Sequence, residues 1–177
     1  MKQEIIDKLK ATVRNIPDFP IKGIQFKDLT TTLKDPEALA IISDELTELY
    51  RDKGVTKVVG IESRGFIGGA ILAARLGAGF VPVRKPGKLP AITLKKSYSK
   101  EYGVDTIEVH KDAITSDDVV VLHDDLLATG GTMKAALELI GEMRPKKVYV
   151  NFICELGALH GREVFPEDIE VTSLFEF

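Results

Sequence analysis

Hydrophobic positions along the chain change their spacing several times, and each change marks an element. Ile5, Ile6, Leu9 and Val13 recur at helical spacing, so residues 2–14 are predicted to form a first helix. Pro17, Pro20 and Gly23 interrupt that pattern, and IPDFPIKGIQFKDLT reads as loop with a short strand at 24–27. Asp35-Pro36 then carries helix-start chemistry: an Asp to accept from free amides, and a Pro at the first helical position, where its missing N–H costs nothing. That helix runs through Leu39, Ile42, Leu46 and Leu49 and ends near Gly54. KVVGI at 57–61 is a short continuous apolar run, the mark of a strand covered on both faces. GFIGGAILAARLG follows as a small-residue helix, and GFVPVR at 79–84 as another strand. Residues 85–106, KPGKLPAITLKKSYSKEYGVDT, are basic, polar and rich in turn formers; they are predicted to be a long mobile loop or an extended hairpin. DVVVLHD is the next strand, GTMKAALELIGEM the next helix, and KKVYVNFICEL the last long strand.

Apolar strands thus alternate with helices three times, which predicts an α/β fold with a mostly parallel twisted sheet flanked by helices. Ligands of such sheets bind at the carboxyl ends of the strands. At 177 residues the chain is predicted to be one domain. It is 44% hydrophobic and 29% charged, an ordinary globular balance, and its net charge of −3 leaves no electrostatic footprint for nucleic acid. No apolar run is long enough to span a bilayer, and the amphipathic, mixed-charge start MKQEIIDKLKATVRNI is unlike a secretory signal. The single cysteine, Cys154, lies in an apolar strand and forms no internal disulfide, which suits a cytoplasmic protein.

The chemistry concentrates where strands give way to turns. After VVVL and His123 come Asp124 and Asp125, placed at the end of a strand predicted to stop at Leu122 or His123. Leu127-Ala-Thr-Gly-Gly-Thr132 then turns into a helix. Its glycines let the backbone approach an anion, the helix start offers unpaired N–H groups, and Thr129 and Thr132 add hydroxyls. A phosphate in that loop, with the two carboxylates facing hydroxyls or a divalent metal, fits ribose 5-phosphate. A capping turn with two solvated aspartates is the simpler reading of Gly-Gly-Thr alone; the uninterrupted order of strand, acid pair, small-residue loop and helix favours the ligand site. Glu62-Ser63-Arg64-Gly65 is a second strand-to-helix turn with an arginine, suited to another anion. Arg84, Lys85 and Lys88 form a basic cluster beside Gly87 and Pro90. Neither Gly-x4-Gly-Lys-Ser/Thr nor Gly-x-Gly-x-x-Gly occurs.

VLHDDLLATGGT resembles the 5-phosphoribosyl-1-pyrophosphate-binding motif of the type I phosphoribosyltransferases. IPDFPIKGIQFKDLTTTLKDP, IESRGFIGGAILAARLG, VRKPGKLP, SYSKEYG and CELGALHGRE extend the likeness in order over nearly the whole chain, toward the members that act on adenine. The resemblance implies the type I phosphoribosyltransferase fold, with a small N-terminal hood at about 1–34, a core at about 35–177 and a flexible active-site loop at about 85–106. It implies transfer of phosphoribosyl to adenine, giving AMP and pyrophosphate in purine salvage. Asp124, Asp125, Ala128, Thr129, Gly130, Gly131 and Thr132 then hold the ribose 5-phosphate, and Glu62, Ser63, Arg64, Arg84, Lys85 and Lys88 the pyrophosphate. Gln25, Phe26, Lys27 and Leu156 meet the adenine. Glu101 handles the proton, and with Arg64, Asp124 and Asp125 makes the catalytic set. Mg²⁺ is held mainly by the substrate's own oxygens, with no certain protein ligand. Arg84 reaches the neighbouring subunit's pyrophosphate, which implies a homodimer. Against the family pattern, His123 stands where an aliphatic residue is frequent and reads as structural. Gly68 replaces a larger residue, Lys27 an arginine of some members, and Gln25 an aliphatic residue. Two rival readings are a phosphoribosyltransferase for another base and a non-catalytic regulator. A regulator of that kind carries a basic nucleic-acid-binding segment, and none is evident in this acidic chain.

Overall fold

A computed structural model of the chain describes residues 1–19, 21–100 and 103–177. The central layer is a five-stranded sheet of β3 (Lys57–Ile61), β4 (Gly79–Val83), β7 (Val119–Leu127), β8 (Lys147–Glu155) and β9 (Glu170–Glu176). Their order is β4-β3-β7-β8-β9, and every pairing is parallel. The chain order reverses between β3 and β7, so their carboxyl ends open the crevice in which such sheets take ligands. Helices α3 (Pro36–Tyr50), α4 (Gly65–Leu76) and α5 (Gly131–Gly141) cover the sheet.

Two apolar layers result. Val59, Leu122, Val150 and Phe152 pack with α5 through Met133, Ala136 and Leu139; Val58, Val121 and Ile153 pack with α3 and α4 through Ile42, Leu46 and Leu72. Each of these large side chains is almost wholly withdrawn from water, which stabilises the fold by ~1.5–3 kcal/mol apiece before entropy is counted. Asp35 caps α3 as predicted, accepting from the Glu37 and Ala38 amides at 3.0 and 2.9 Å, with Pro36 at the first helical position.

The remaining elements lie at the edges. α1 (Gln3–Thr12) matches the first predicted helix, shortened at both ends. β1 (Arg14–Pro17) pairs antiparallel with β2 (Gln25–Asp28), and a short α2 (Thr30–Leu33) follows. β5 (Thr93–Lys100) and β6 (Gly103–His110) form an antiparallel ribbon, which decides for the extended alternative over a structureless loop. Ser97 and Thr106 bond across it at 2.9 Å.

Three expectations need correction. β7 does not stop at His123 but continues to Leu127, because the long apolar β8 offers it a partner as far as Leu127↔Glu155. The acid pair is therefore inside the strand. KKVYVNFICEL is not the last strand: β9 adds a fifth, hidden in sequence by its polar Thr172 and Ser173. β1, mostly exposed and ending in a proline, lacks the alternation that announces a strand and is made by its pairing with β2.

Candidate functional site

Three adjoining hollows open at the carboxyl ends of β3, β4 and β7, and Asp124 lines all three. The first, about 100 Å³, is formed by the turn Ala128 to Thr132 with Leu126, Leu127, Met133 and Phe152. The second, about 450 Å³, is walled by Glu62, Ser63, Arg64, Lys85 and Asp125. The third, about 150 Å³, joins Glu62, Arg84 and Lys85 to Tyr98, Asp105 and Ile107 of the ribbon and to Thr132. A larger hollow of about 560 Å³ lies between α5 and the segment before β9. It is lined by Leu137, Val148, Phe165 and Ile169 among others, and holds none of the predicted site residues.

The turn after β7 takes its shape from Gly130. This residue has φ +80°, a left-handed conformation that side chains disfavour, and a Cβ there would lie 2.6 Å from the Gly161 carbonyl oxygen. Gly130 also stands at the cap position of α5 with no side chain bonding the helix start, which leaves the first-turn amides facing the turn. Thr132 is fixed by the Tyr98 hydroxyl at 3.0 Å, a contact from a residue that sequence reading did not single out.

Alternation along β7 sends His123 and Asp125 toward α4. Asp125, 2% exposed, forms an ion pair with Arg64 at the start of α4. Burial alone would lower the Arg64 pKa, but the bond to Asp125 outweighs it and the guanidinium is held charged. Asp124 accepts the Asp125 amide at 2.9 Å. Enclosure, joined by the negative Asp125, pushes its carboxyl well above the usual carboxylate range. The acid pair thus divides: one carboxylate is neutralised by Arg64, and the other faces the hollows and gains from any donor or cation placed there.

The basic wall is assembled across strands. Arg84 follows β4 and bonds Glu62, which follows β3, at 3.1 and 3.2 Å; Glu62 also accepts the Lys85 amide at 3.1 Å. These bonds, with Lys88 adding positive charge nearby, hold the Glu62 carboxyl below its ordinary range. Within the single chain, Arg84 is engaged by Glu62.

Gln25, Phe26 and Lys27 line none of the three hollows. They lie on β2, where Phe26 meets Phe19 edge-on at 5.1 Å. Lys27 places its ammonium 4.4 Å from the Phe177 ring centre. The Phe177 backbone in turn bonds Glu155 and Gly157 on either side of Leu156, at 2.9 and 3.1 Å. The Leu156 amide donates to the Leu127 carbonyl at 2.9 Å, so this predicted base contact is tied to the start of the small-residue turn. Glu101 lies outside the described residues.

His123 has the structural place expected of it. It is fully buried, with Nδ1 2.7 Å from Asn151 Oδ1. The Asn151 amide donates to Thr172, which meets the Tyr50 hydroxyl at 2.7 Å. Asn151 therefore accepts from His123, which must carry its proton on Nδ1. Nε2 faces Gly68: a Cβ at that glycine would lie 2.4 Å from it. His123 and Gly68, two of the four residues read as departures, are thus one packing contact, a large ring opposite a missing side chain.

Residues 30–175 match the phosphoribosyl transferase domain family. An adenine phosphoribosyltransferase of Bacteroides fragilis is 64% identical over 165 residues, 93% of this chain and 93% of that protein. The crystal structure of an adenine phosphoribosyltransferase from Rhodothermus marinus superposes with a TM-score of 0.93 at 48% identity, covering 99% of this chain and 100% of that one. A Giardia lamblia enzyme of the same name, solved with 9-deazaadenine, has a TM-score of 0.92 at 46% identity, covering 97% of both chains.

Proposed function

The chain belongs to the adenine phosphoribosyltransferases of the type I phosphoribosyltransferase family, and we propose that it transfers phosphoribosyl from 5-phosphoribosyl-1-pyrophosphate to adenine. The products are AMP and pyrophosphate, in purine salvage. The observation that carries the residue assignment is the place of Asp124, shared by a small-residue turn on one side and a basic wall on the other. A ribose carrying a phosphate at one end and a pyrophosphate at the other requires that succession.

In this reading the turn from Ala128 to Thr132 takes the 5-phosphate on backbone amides and threonine hydroxyls. Asp124 and Asp125 hold the ribose hydroxyls and favour the positive charge that develops as the anomeric bond to pyrophosphate breaks. A ring nitrogen of adenine forms the new bond to that carbon from the opposite face. Arg64, Arg84, Lys85 and Lys88 receive the leaving pyrophosphate with Glu62 and Ser63. Glu101 takes the purine proton. Among the described residues no three acidic, histidine or cysteine groups converge as a metal cage. Asp125 and Glu62 are already engaged by arginines. We assign Mg²⁺ to the substrate's own pyrophosphate and ribose oxygens, where it would neutralise the leaving group.

Phe26 and Lys27 on β2, with Leu156 linked to Lys27 by way of Phe177, are the groups we assign to adenine, with Gln25 beside them. A site built to bond a 6-amino group rejects a 6-oxo purine, because mispaired buried polar groups are costly. We also infer a homodimer in which Arg84 reaches the partner's pyrophosphate. The cytoplasm is our assignment for a chain whose one thiol, Cys154, is buried and raised by burial to about 12. No described helix is long and apolar enough to cross a membrane.

Pyrophosphate release with Mg²⁺ and 5-phosphoribosyl-1-pyrophosphate, compared for adenine, guanine, hypoxanthine and xanthine, tests the proposal. Release with adenine alone, accompanied by AMP, is the expected result. Preference for a 6-oxo purine would overturn the base assignment, and no release with any base would favour the regulator.

A further inference from the structure

The basic segment from Arg84 to Pro90 contains two prolines, a glycine and three cations, a composition that favours neither helix nor strand. Its cations repel one another and its backbone is costly to order. Something outside the segment must hold it: Glu62 takes the Arg84 guanidinium and the Lys85 amide, and the rest of the backbone is held by one residue of β6, Glu108.

Its backbone forms an antiparallel bridge with Arg84: the Arg84 amide donates to the Glu108 carbonyl at 2.9 Å, and the Glu108 amide to the Arg84 carbonyl at 2.8 Å. Its carboxylate accepts the Gly87 amide at 2.9 Å and the Leu89 amide at 3.4 Å, the two that flank Lys88. The other oxygen accepts from the Thr93 hydroxyl at 3.2 Å and pairs with Lys95 at 3.3 Å. The residue is 1% exposed, with the half-exposed Lys95 as its ion-pair partner. Burial would raise its carboxyl, but these donors outweigh that effect and hold it ionised. The segment closes further through its own bonds, Lys88 N–H to the Lys85 carbonyl at 3.3 Å and the Arg84 guanidinium to the Lys88 carbonyl at 3.2 Å. Alternation along β6 turns Ile107 into the site hollow and Glu108 away from it, so Glu108 touches no ligand there.

We propose that Glu108 is a positioning residue for the reaction, a buried carboxylate that moulds the Arg84–Pro90 backbone and so sets Arg84, Lys85 and Lys88 in place before pyrophosphate arrives. The inference rests on the assignment of those three cations to pyrophosphate. Fixing charged groups in advance is worth more than supplying them on a loose loop, since misplacement of a binding group by an ångström is felt strongly in catalysis.

Glu108→Ala and Glu108→Gln, with Arg84→Ala as control, test it in the full-length protein. Four quantities are read: inorganic pyrophosphate binding, the KM for each substrate, the melting temperature, and amide hydrogen exchange at residues 85–90. Glu108→Ala is expected to weaken pyrophosphate and raise the KM for 5-phosphoribosyl-1-pyrophosphate about tenfold. The KM for adenine stays unchanged, and exchange at Gly87 and Leu89 quickens. Glu108→Gln, whose amide oxygen still accepts, should recover much of the exchange protection and part of the affinity, and keeps the test informative should the alanine variant fold poorly. If Arg84→Ala weakens pyrophosphate and neither Glu108 variant does, Glu108 is not a positioning residue. If all three bind pyrophosphate as before, the pyrophosphate assignment falls and the proposal with it. An equal rise in both KM values with a lowered melting temperature would make Glu108 a general structural residue and overturn the proposal too.

Discussion

From Val119 to Thr132 the chain writes a strand, an acid pair, a small-residue turn and a helix start without a break. The basic wall opposite takes Glu62 and Arg64 from the end of β3, Arg84 and Lys85 from the end of β4, and its support from Glu108 on β6. The first region is shaped by local backbone geometry, with Gly130 in a conformation few other residues tolerate. The second is shaped by ion pairs between distant segments, Arg84 with Glu62 and Lys95 with Glu108. A locally written site is rigid because its strand is buried, whereas an assembled one is only as firm as its charge pairs. Substitutions should therefore act differently on the two sides.

The largest effect is expected from Asp125→Asn. It removes the charge that faces Arg64 in a nearly closed position, and turnover should fall by ~10²-fold or more, with the fold retained by circular dichroism. Unchanged kinetics would remove the acid pair from the account.

The next effect is on stability and belongs to the strand alone. Burial lowers the His123 pKa to about 4, against 6.5 when exposed, despite the opposing Asn151 bond and Asp125 charge. The depressed value means that the unfolded chain binds the extra proton first. The stabilisation is complete above 6.5 and is lost as pH falls from 6.5 toward 4, amounting to ~2 kcal/mol between pH 7 and 5. Denaturant unfolding of the parent and of His123→Gln over that range checks this; parallel stability profiles would contradict it.

The smallest expected effect is on the assembled side. Arg84→Ala removes a partly exposed group, so it should raise the KM for 5-phosphoribosyl-1-pyrophosphate about tenfold while shifting stability by no more than ~0.5 kcal/mol. A loss of stability in place of affinity would reverse the roles given to the two regions.

The same contrast explains what was legible in sequence. Helix α3 announced itself by Asp35-Pro36 and its periodic leucines, and β3 and β8 by continuous apolar runs, because those signals are local. The acid pair and the Gly-Gly turn were legible for the same reason. The length of β7 was not, since Asp124 and Asp125 are kept in the strand by β8. Nor was β9, whose polar residues are absorbed by partners: Thr172 by Asn151 and Tyr50, Ser173 by Arg162 and Glu155. Tyr98 and Glu108 sit in a basic, turn-rich stretch where only tertiary pairing reveals what they touch. Family resemblance reached Arg64 and Arg84 but could not disclose that Asp125 and Glu62 hold them.

The most direct test of a cleft with two differently built sides is to titrate them separately. Ribose 5-phosphate and inorganic pyrophosphate, each with Mg²⁺, would be measured by calorimetry against the parent protein, Gly130→Ala and Arg84→Ala. Gly130→Ala is expected to lose ribose 5-phosphate and keep pyrophosphate, and Arg84→Ala to do the reverse. Loss of both ligands in either variant, or of the opposite ligand, would contradict it.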